Sequence, residues 1–113
     1  MSKRSIEDYI PKAIEAIEAL DIVNDKGEVA KQFNGYIASF GASIRQSGLL
    51  ATVLFYTNAN SSAEEEREKV VYAIEKIIGQ TIVVDNKVDK AIRAKVENAA
   101  IALKLSIRTY KLV

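Results

Sequence analysis

Apolar residues recur every three or four positions through most of this chain of 113 residues, and that spacing matches the 3.6-residue turn of an α-helix. The segments that keep this period cover residues 6–20, 28–44, 49–56, 61–78 and 88–111. The pattern predicts an all-α fold, a compact single-domain bundle of about five to six helices that spans residues 1–113.

The first helix has two possible starting points because Pro11 lies near its beginning. Proline fits the first turn of a helix, where its missing N–H is not needed, and Asp8 would then cap the helix. The helix could instead begin nearer Ser5 and bend at Pro11, since a proline inside a helix removes one hydrogen bond. The sequence leaves both alternatives open.

Local signals mark other helix ends. Residues 24–27, Asn-Asp-Lys-Gly, combine side chains that bond their own backbone with a glycine, and this chemistry predicts a turn. Ser61 and Ser62 each precede a glutamate by three residues, which is the spacing of a capping box. Gly79 is expected to end the fourth helix.

Two features interrupt the helical pattern. Gly35 and Gly41 lie inside the second helix, where glycine costs about 1 kcal/mol relative to alanine, so we expect another helix to approach closely there. Residues 81–84, Thr-Ile-Val-Val, are the only β-like run. Because no partner run is evident, we expect this segment to pack as a connector.

The residue types present restrict the possible chemistry. The chain contains neither cysteine nor histidine, which excludes disulfides, thiolate zinc sites and a histidine general base. The acidic cluster at residues 64–68 suits the N-terminus of a helix, so no metal site is expected there. No phosphate-binding glycine loop or nucleophile elbow occurs. We therefore predict no enzymatic activity, no cofactor and no small-molecule substrate.

The sequence also argues against a membrane location. No apolar stretch approaches the ~20 residues that a membrane-spanning helix needs. Lys3 and Arg4 are not followed by the apolar run of a secretory signal peptide. We predict a cytoplasmic protein with no membrane partner.

Charges are distributed unevenly along the chain, although the net charge is only +1. Between Glu28 and Glu64 the only charged residues are Lys31 and Arg45. A segment so poor in charge is expected to lie in the core or against another subunit.

A row of cations near the C-terminus is a candidate surface for a polyanion. On an ideal helix Arg93, Lys104, Arg108 and Lys111 fall within about 60° of one another, and only Glu97 lies between them. The row is compatible with contacts to the phosphate backbone of a nucleic acid. It is also compatible with a solvated helix face whose last cations complement the helix dipole.

A central motif resembles that of a known family. Residues 44–49, Ile-Arg-Gln-Ser-Gly-Leu, are followed by Ala51 and by the run Leu-Phe-Tyr at 54–56. This segment resembles the central motif of the small subunit of the type III-B CRISPR effector (Cmr) complex. Residues 98–112, rich in alanine and leucine with interspersed bases, are similar to the last helix of that family. They lack the tryptophan that many members carry there.

The resemblance implies a helical, non-catalytic subunit that is present in several copies and acts in antiviral defence. These copies would stack beside the backbone subunits that hold the guide RNA, and would line the groove in which target RNA pairs with the guide. The expected partners are the other Cmr subunits, especially the backbone subunit, further copies of this chain, and target RNA or the guide–target duplex. RNA cleavage would belong to the backbone subunit.

The cation row and the resemblance together suggest roles for individual residues. The RNA-binding candidates are Arg45, Arg93, Lys104, Arg108 and Lys111, and the candidates for a subunit interface are Gln46 and Tyr56. Arg45 could instead pair with a carboxylate or cap the second helix. Gly48 and Leu49 are expected to shape the turn and the core. The alternative function is a helical protein–protein adaptor with no nucleic-acid contact, and a third hypothesis is a small helical enzyme.

Overall fold

Helices make up most of the structure, a computed structural model that describes residues 3–57 and 64–113. In these ranges the α-helices are α1 (Lys3–Ala19), α2 (Gln32–Ser47), α3 (Leu49–Tyr56), α4 (Glu64–Ile78) and α5 (Arg93–Ile107). A 3₁₀ turn at Lys90–Ile92 leads into α5. The predicted all-α bundle is confirmed.

One apolar core joins the helices. α5 packs mainly against α1 and also contacts α2 and α4, while the short α3 packs between α2 and α4. Ile17, Phe40, Ile74 and Leu103, one from each of the four longer helices, are fully buried. None of the described helices has the length and the apolar character that crossing a membrane would require.

The helical period of residues 88–111 predicts an inward face formed by Ile92, Val96, Ala99, Leu103, Ile107 and Tyr110, and this prediction is correct over most of the helix. Tyr110, which was expected to extend this face, lies beyond the end of α5 and is only half-buried. The five other positions predicted to face inward are buried: Ile92, Val96, Ala99, Leu103 and Ile107.

The structure distinguishes the two alternatives for the first helix. α1 includes Lys3, so Pro11 lies inside the helix and not in its first turn. This agrees with a start upstream of Pro11, near Ser5 or earlier. Pro11 has no N–H to donate to the Glu7 carbonyl four residues earlier, and both residues are exposed.

Two of the predicted helix-end signals are confirmed. The Asn24 side-chain oxygen accepts hydrogen bonds from the backbone N–H groups of Lys26 and Glu28, each at 2.9 Å. Gly79 follows the last residue of α4 with φ at 75°, and its N–H donates to the Glu75 carbonyl at 2.9 Å. The predicted capping serines at positions 61 and 62 lie outside the described residues.

Short strands replace the predicted start of the second helix and the predicted end of the last helix. The four strands in the described ranges are β1 (Glu28–Val29), β2 (Val83–Val84), β3 (Lys87–Val88) and β4 (Lys111–Leu112). β1 and β4 pair in parallel, and the Val113 N–H donates to the Val29 carbonyl at 3.0 Å. The predictions that the second helix begins near residue 28 and that the last helix extends to residue 111 are therefore wrong. The fully buried Val29 side chain explains why this ladder is favourable.

The β-like run at residues 81–84 does have a partner, contrary to the prediction. β2 and β3 form an antiparallel hairpin whose two turn residues, Asp85 and Asn86, have φ of 53° and 60°. Positive φ at both positions matches the twist of a two-residue hairpin turn. The hairpin is anchored by Ile82, whose side chain is buried and whose N–H donates to Glu75 Oε2 at 2.8 Å.

The two glycines inside α2 have no packing neighbour of the kind predicted. A Cβ built on Gly35 or on Gly41 meets no atom of the described structure within 4 Å. The expectation that another helix of this chain approaches them closely is therefore wrong. Gly41 instead borders a surface groove between α2 and α5.

Candidate nucleic-acid interface

The central motif forms the junction between α2 and α3. Arg45 and Gln46 are exposed in the last turn of α2, and Ile44 before them is fully buried. Gly48 separates the two helices with φ 89° and ψ 165°, a backbone conformation essentially restricted to glycine. Leu49 then begins α3 and is buried. The predicted roles of Gly48 and Leu49 in the turn and the core agree with this arrangement.

Two hydroxyl groups hold the junction in place. The Gly48 carbonyl accepts hydrogen bonds from the Thr52 N–H at 3.3 Å and from the Thr52 hydroxyl at 2.8 Å. Ser43 Oγ lies 2.8 Å from Thr52 Oγ1. Because the Thr52 proton is directed to Gly48, the Ser43 hydroxyl is the donor of this pair. The bond connects α2 directly to α3.

Helix packing brings two of the predicted RNA-binding residues together. Arg45 on α2 and Lys104 on α5 line one surface groove of about 250 Å³, which we call the cation groove. Glu97 also lines it, and the small residues Ala38 and Gly41 form part of its wall. Two helices distant in sequence thus contribute one cation each to a single concave surface.

The remaining candidates are distributed differently. Arg93 Nε donates to Glu97 Oε1 at 3.0 Å, an ion pair between residues one helical turn apart. Arg108 is exposed directly after the last residue of α5 and lies one turn beyond Lys104. Lys111 belongs to β4, so the prediction that it continues the cation row on a helix is wrong.

The aromatic pair at the end of α3 points in two directions. Tyr56 is 3% exposed, and its hydroxyl donates to the Tyr36 carbonyl at 2.7 Å. Burial raises the pKa of the Tyr56 hydroxyl above its ordinary value, and the nearby Arg67 guanidinium offsets part of this shift. Phe55 and Leu54 are 53% and 42% exposed. The predicted role of Tyr56 in a subunit interface is untested. The exposed apolar residues at this end of α3 are its neighbours Leu54 and Phe55.

The sequence left open whether α3 lies in the core or against another subunit, and its spacing also contains a signal for which side is exposed. The buried residues of this helix are Leu49, Thr52, Val53 and Tyr56. They follow the i, i+3, i+4, i+7 spacing of one helix face, which directs Leu54 and Phe55 outward. A helix that is apolar all round in sequence can therefore still present a contact surface.

Arg67 connects α4 to the aromatic residues of α2 and α3. Its guanidinium carbon lies 5.0 Å from the ring centre of Phe55, 5.4 Å from that of Tyr36 and 5.9 Å from that of Tyr56. These distances are within the range of cation–π attraction. Arg67 therefore helps to fix the end of α3 against α4.

Replacing Arg67 with alanine is expected to lower the free energy of unfolding by about 1–2 kcal/mol, because several partly desolvated cation–π contacts are lost. Guanidinium chloride unfolding followed by circular dichroism measures the change. Lys76→Ala, at an exposed position on the same helix, is the matched control and should change stability by less than about 0.5 kcal/mol. Equal effects of the two substitutions would contradict this role for Arg67.

No group of three or more acidic residues in the described part of the chain is arranged to hold a metal ion. The side chains of Glu64 and Glu65, which belong to the acidic cluster at residues 64–68, lie outside the described set. The absence of a metal site there remains a prediction.

Comparison with known families identifies the chain. The family model described as CRISPR-associated protein (Cas_Cmr5) matches residues 9–107, a stretch that runs from α1 to the end of α5 and contains the central motif. Searches among curated proteins and among solved structures found no match. The chain therefore belongs to the CRISPR-associated Cmr5 family, and is a small subunit of a type III-B Cmr effector complex.

Proposed function

We propose that this subunit does not cleave RNA and instead helps to hold the guide–target RNA in the Cmr complex, next to the backbone subunits, as part of antiviral defence in the cytoplasm. The observation that carries the proposal is the cation groove, where Arg45 and Lys104 from two helices border one concave surface. Arg108 extends this surface by one helical turn. Gln46, exposed beside Arg45, is proposed to contact the neighbouring subunit.

The shape and the charge of the cation groove both suit a nucleic-acid strand. Ala38 and Gly41 project little beyond the α2 backbone, so a phosphate could approach the helix closely. Arg93 Nε lies 3.0 Å from Glu97 Oε1, so the Glu97 charge is offset by Arg93. The charges of Arg45 and Lys104 are therefore left for a phosphate. Cations spaced along a groove bind the phosphate backbone without selecting a base sequence.

The non-catalytic role is supported by the side chains available. RNA hydrolysis by a protein commonly uses a histidine base or a metal ion. The chain has no histidine and no cysteine. The cations of the groove can neutralise phosphates, and arginine cannot serve as a base at neutral pH.

Neutralising the three cations together tests the proposal. In a Cmr complex reconstituted with the triple variant Arg45→Gln, Lys104→Gln and Arg108→Gln, we expect normal assembly and weaker retention of target RNA. Three lost phosphate contacts to a single strand correspond to a salt slope shallower by roughly 2 per bound copy. RNA affinity measured between 50 and 200 mM salt gives this slope.

The matched control removes three charges elsewhere: Lys12→Gln, Lys26→Gln and Lys76→Gln, all at exposed positions on α1, the turn before β1 and α4. This control should leave the salt slope unchanged. If both triple variants bind RNA with the parental slope, the RNA-facing role assigned to the cation groove is wrong. A groove variant that fails to assemble would assign the groove to protein contacts.

The second candidate function is a protein–protein adaptor without nucleic-acid contact. The exposure of Leu54 and Phe55 on α3 favours it, because adjacent exposed apolar side chains are typical of contact surfaces. Crosslinking of the intact complex distinguishes the two functions, since an adaptor would give no crosslinks from Arg45 or Lys104 to RNA.

A further inference from the structure

A second groove lies on a different part of the surface, between the α2–α3 junction and the β2–β3 hairpin. It has a volume of about 620 Å³, which is in the range of sites that bind several apolar groups. We call it the junction groove. The aliphatic residues that line it are Leu49, Leu50, Ala51 and Val88.

The aliphatic lining favours a protein side chain over a nucleobase. Among the residues that the structure describes, no aromatic residue lines the junction groove, so they offer no ring on which a base could stack. Leu50 and Val88 are only half-buried, which leaves apolar surface that an apolar side chain could cover. A leucine, methionine or phenylalanine of a partner suits such a lining.

The rim of the junction groove is positively charged. Lys87, Lys90 and Arg93 line it, and in the described part of the chain no carboxylate does. The nearby Asp89 carboxylate is turned toward its own turn and accepts the Ala91 N–H at 2.9 Å. Arg93 is paired with Glu97, so Lys87 and Lys90 are the cations most available to a partner.

Both walls of the junction groove are held by the fold. One wall follows Gly48, whose carbonyl is bonded to Thr52, and the other is a hairpin attached to α4 by the Ile82–Glu75 hydrogen bond at 2.8 Å. A groove with fixed walls needs little ordering on binding, so more of the contact energy appears as affinity.

We propose that the junction groove binds an acidic peptide segment of another protein subunit. One large apolar side chain of that segment occupies the aliphatic floor, and aspartate or glutamate residues beside it pair with Lys87 and Lys90. The proposal uses residues other than Arg45, Lys104 and Arg108, so it stands or falls separately from the RNA-facing role of the cation groove.

A photocrosslinker tests the proposal in the assembled, RNA-loaded Cmr complex. p-Benzoylphenylalanine is placed at Ala51, an exposed position at the edge of the junction groove. We expect a crosslink to a protein segment that carries carboxylates within a few residues of the crosslinked apolar side chain. A crosslink to RNA, or to a segment without acidic residues, would overturn the proposal.

Charge reversal gives the second measurement. Lys87→Glu with Lys90→Glu should reduce the crosslink yield by about fivefold to tenfold, since two favourable rim pairs become repulsive. Lys12→Glu with Lys76→Glu, at exposed positions elsewhere, makes the same charge change and should leave the yield unaltered. An equal yield for both variants would overturn the proposal.

A competing peptide separates charge from apolar contact. The probe Asp-Asp-Leu-Phe-Glu-Glu, in excess, should suppress the crosslink, and the amide peptide Asn-Asn-Leu-Phe-Gln-Gln should compete several-fold less well. Equal competition by the two peptides would show that the rim cations have no part in recognition. All substituted positions are exposed, so the fold is expected to tolerate them.

Discussion

Replacing Gly48 with alanine is expected to lower the free energy of unfolding by about 1–3 kcal/mol, the cost of forcing a side chain into a backbone region that glycine alone occupies readily. Gly48 has φ 89° and ψ 165°. A Cβ built there meets no described atom within 4 Å, so collision does not contribute. The whole effect is assigned to the backbone conformation.

The destabilisation expected at Gly48 arises where the chain passes from α2 to α3. Gly48 ends α2 and precedes α3, and this sharp change of direction allows both Ile44 and Leu49 to enter the core. An alanine that relaxed to a common conformation would redirect α3 and disturb the Thr52–Gly48 hydrogen bond at 2.8 Å. The same movement would reshape the junction groove.

Gly35→Ala provides the matched control. Gly35 is exposed inside α2, and an added Cβ meets no described atom within 4 Å. Alanine there should raise the free energy of unfolding by about 0.5–1 kcal/mol, because alanine loses less backbone entropy than glycine in a helix. Chemical denaturation should therefore show a higher free energy of unfolding for Gly35→Ala and a lower one for Gly48→Ala. A stabilising Gly48→Ala substitution would contradict the conformational argument.

Local chemistry was sufficient to predict most helices and several of their ends. The 3.6-residue period identifies the buried face of α5, and the side chain of Asn24 identifies its turn. Both signals act between residues at most a few positions apart. The β1–β4 ladder joins Glu28 to Lys111, and no local pattern links positions so distant in sequence. Pairing of this kind depends on the packing of α1 against α5.

In the candidate site, too, local features could be predicted and contacts between distant segments could not. The junction at Gly48 was predictable, because glycine is the residue that permits such a turn. That Arg45 and Lys104 line one groove was not predictable, because it depends on how α2 and α5 are placed relative to each other. The prediction that Lys111 belongs to a helical row of cations was wrong because α5 ends at Ile107, four residues before Lys111. The Arg93–Glu97 pair could have been found from its four-residue spacing.

Replacing Phe40 with alanine is expected to have the largest effect on stability, a loss of about 3–5 kcal/mol. Phe40 is fully buried near the middle of α2. Its ring packs edge-on against Tyr56, with the ring centres 5.1 Å apart. Truncation removes both the buried apolar area and this aromatic contact, and it leaves a cavity beside the ring that anchors the end of α3.

Phe55→Ala separates this core effect from a general effect of losing an aromatic ring. Phe55 is 53% exposed, and its closest ring contact, with Tyr56, has a centre-to-centre distance of 6.0 Å. Its truncation should cost less than about 1 kcal/mol, since little apolar area returns to water and one cation–π contact with Arg67 is lost. Guanidinium chloride unfolding of both variants measures the difference. Similar losses at the two positions would mean that α3 packs against α2 differently from the arrangement described, because that arrangement buries Phe40 against Tyr56 and leaves Phe55 exposed.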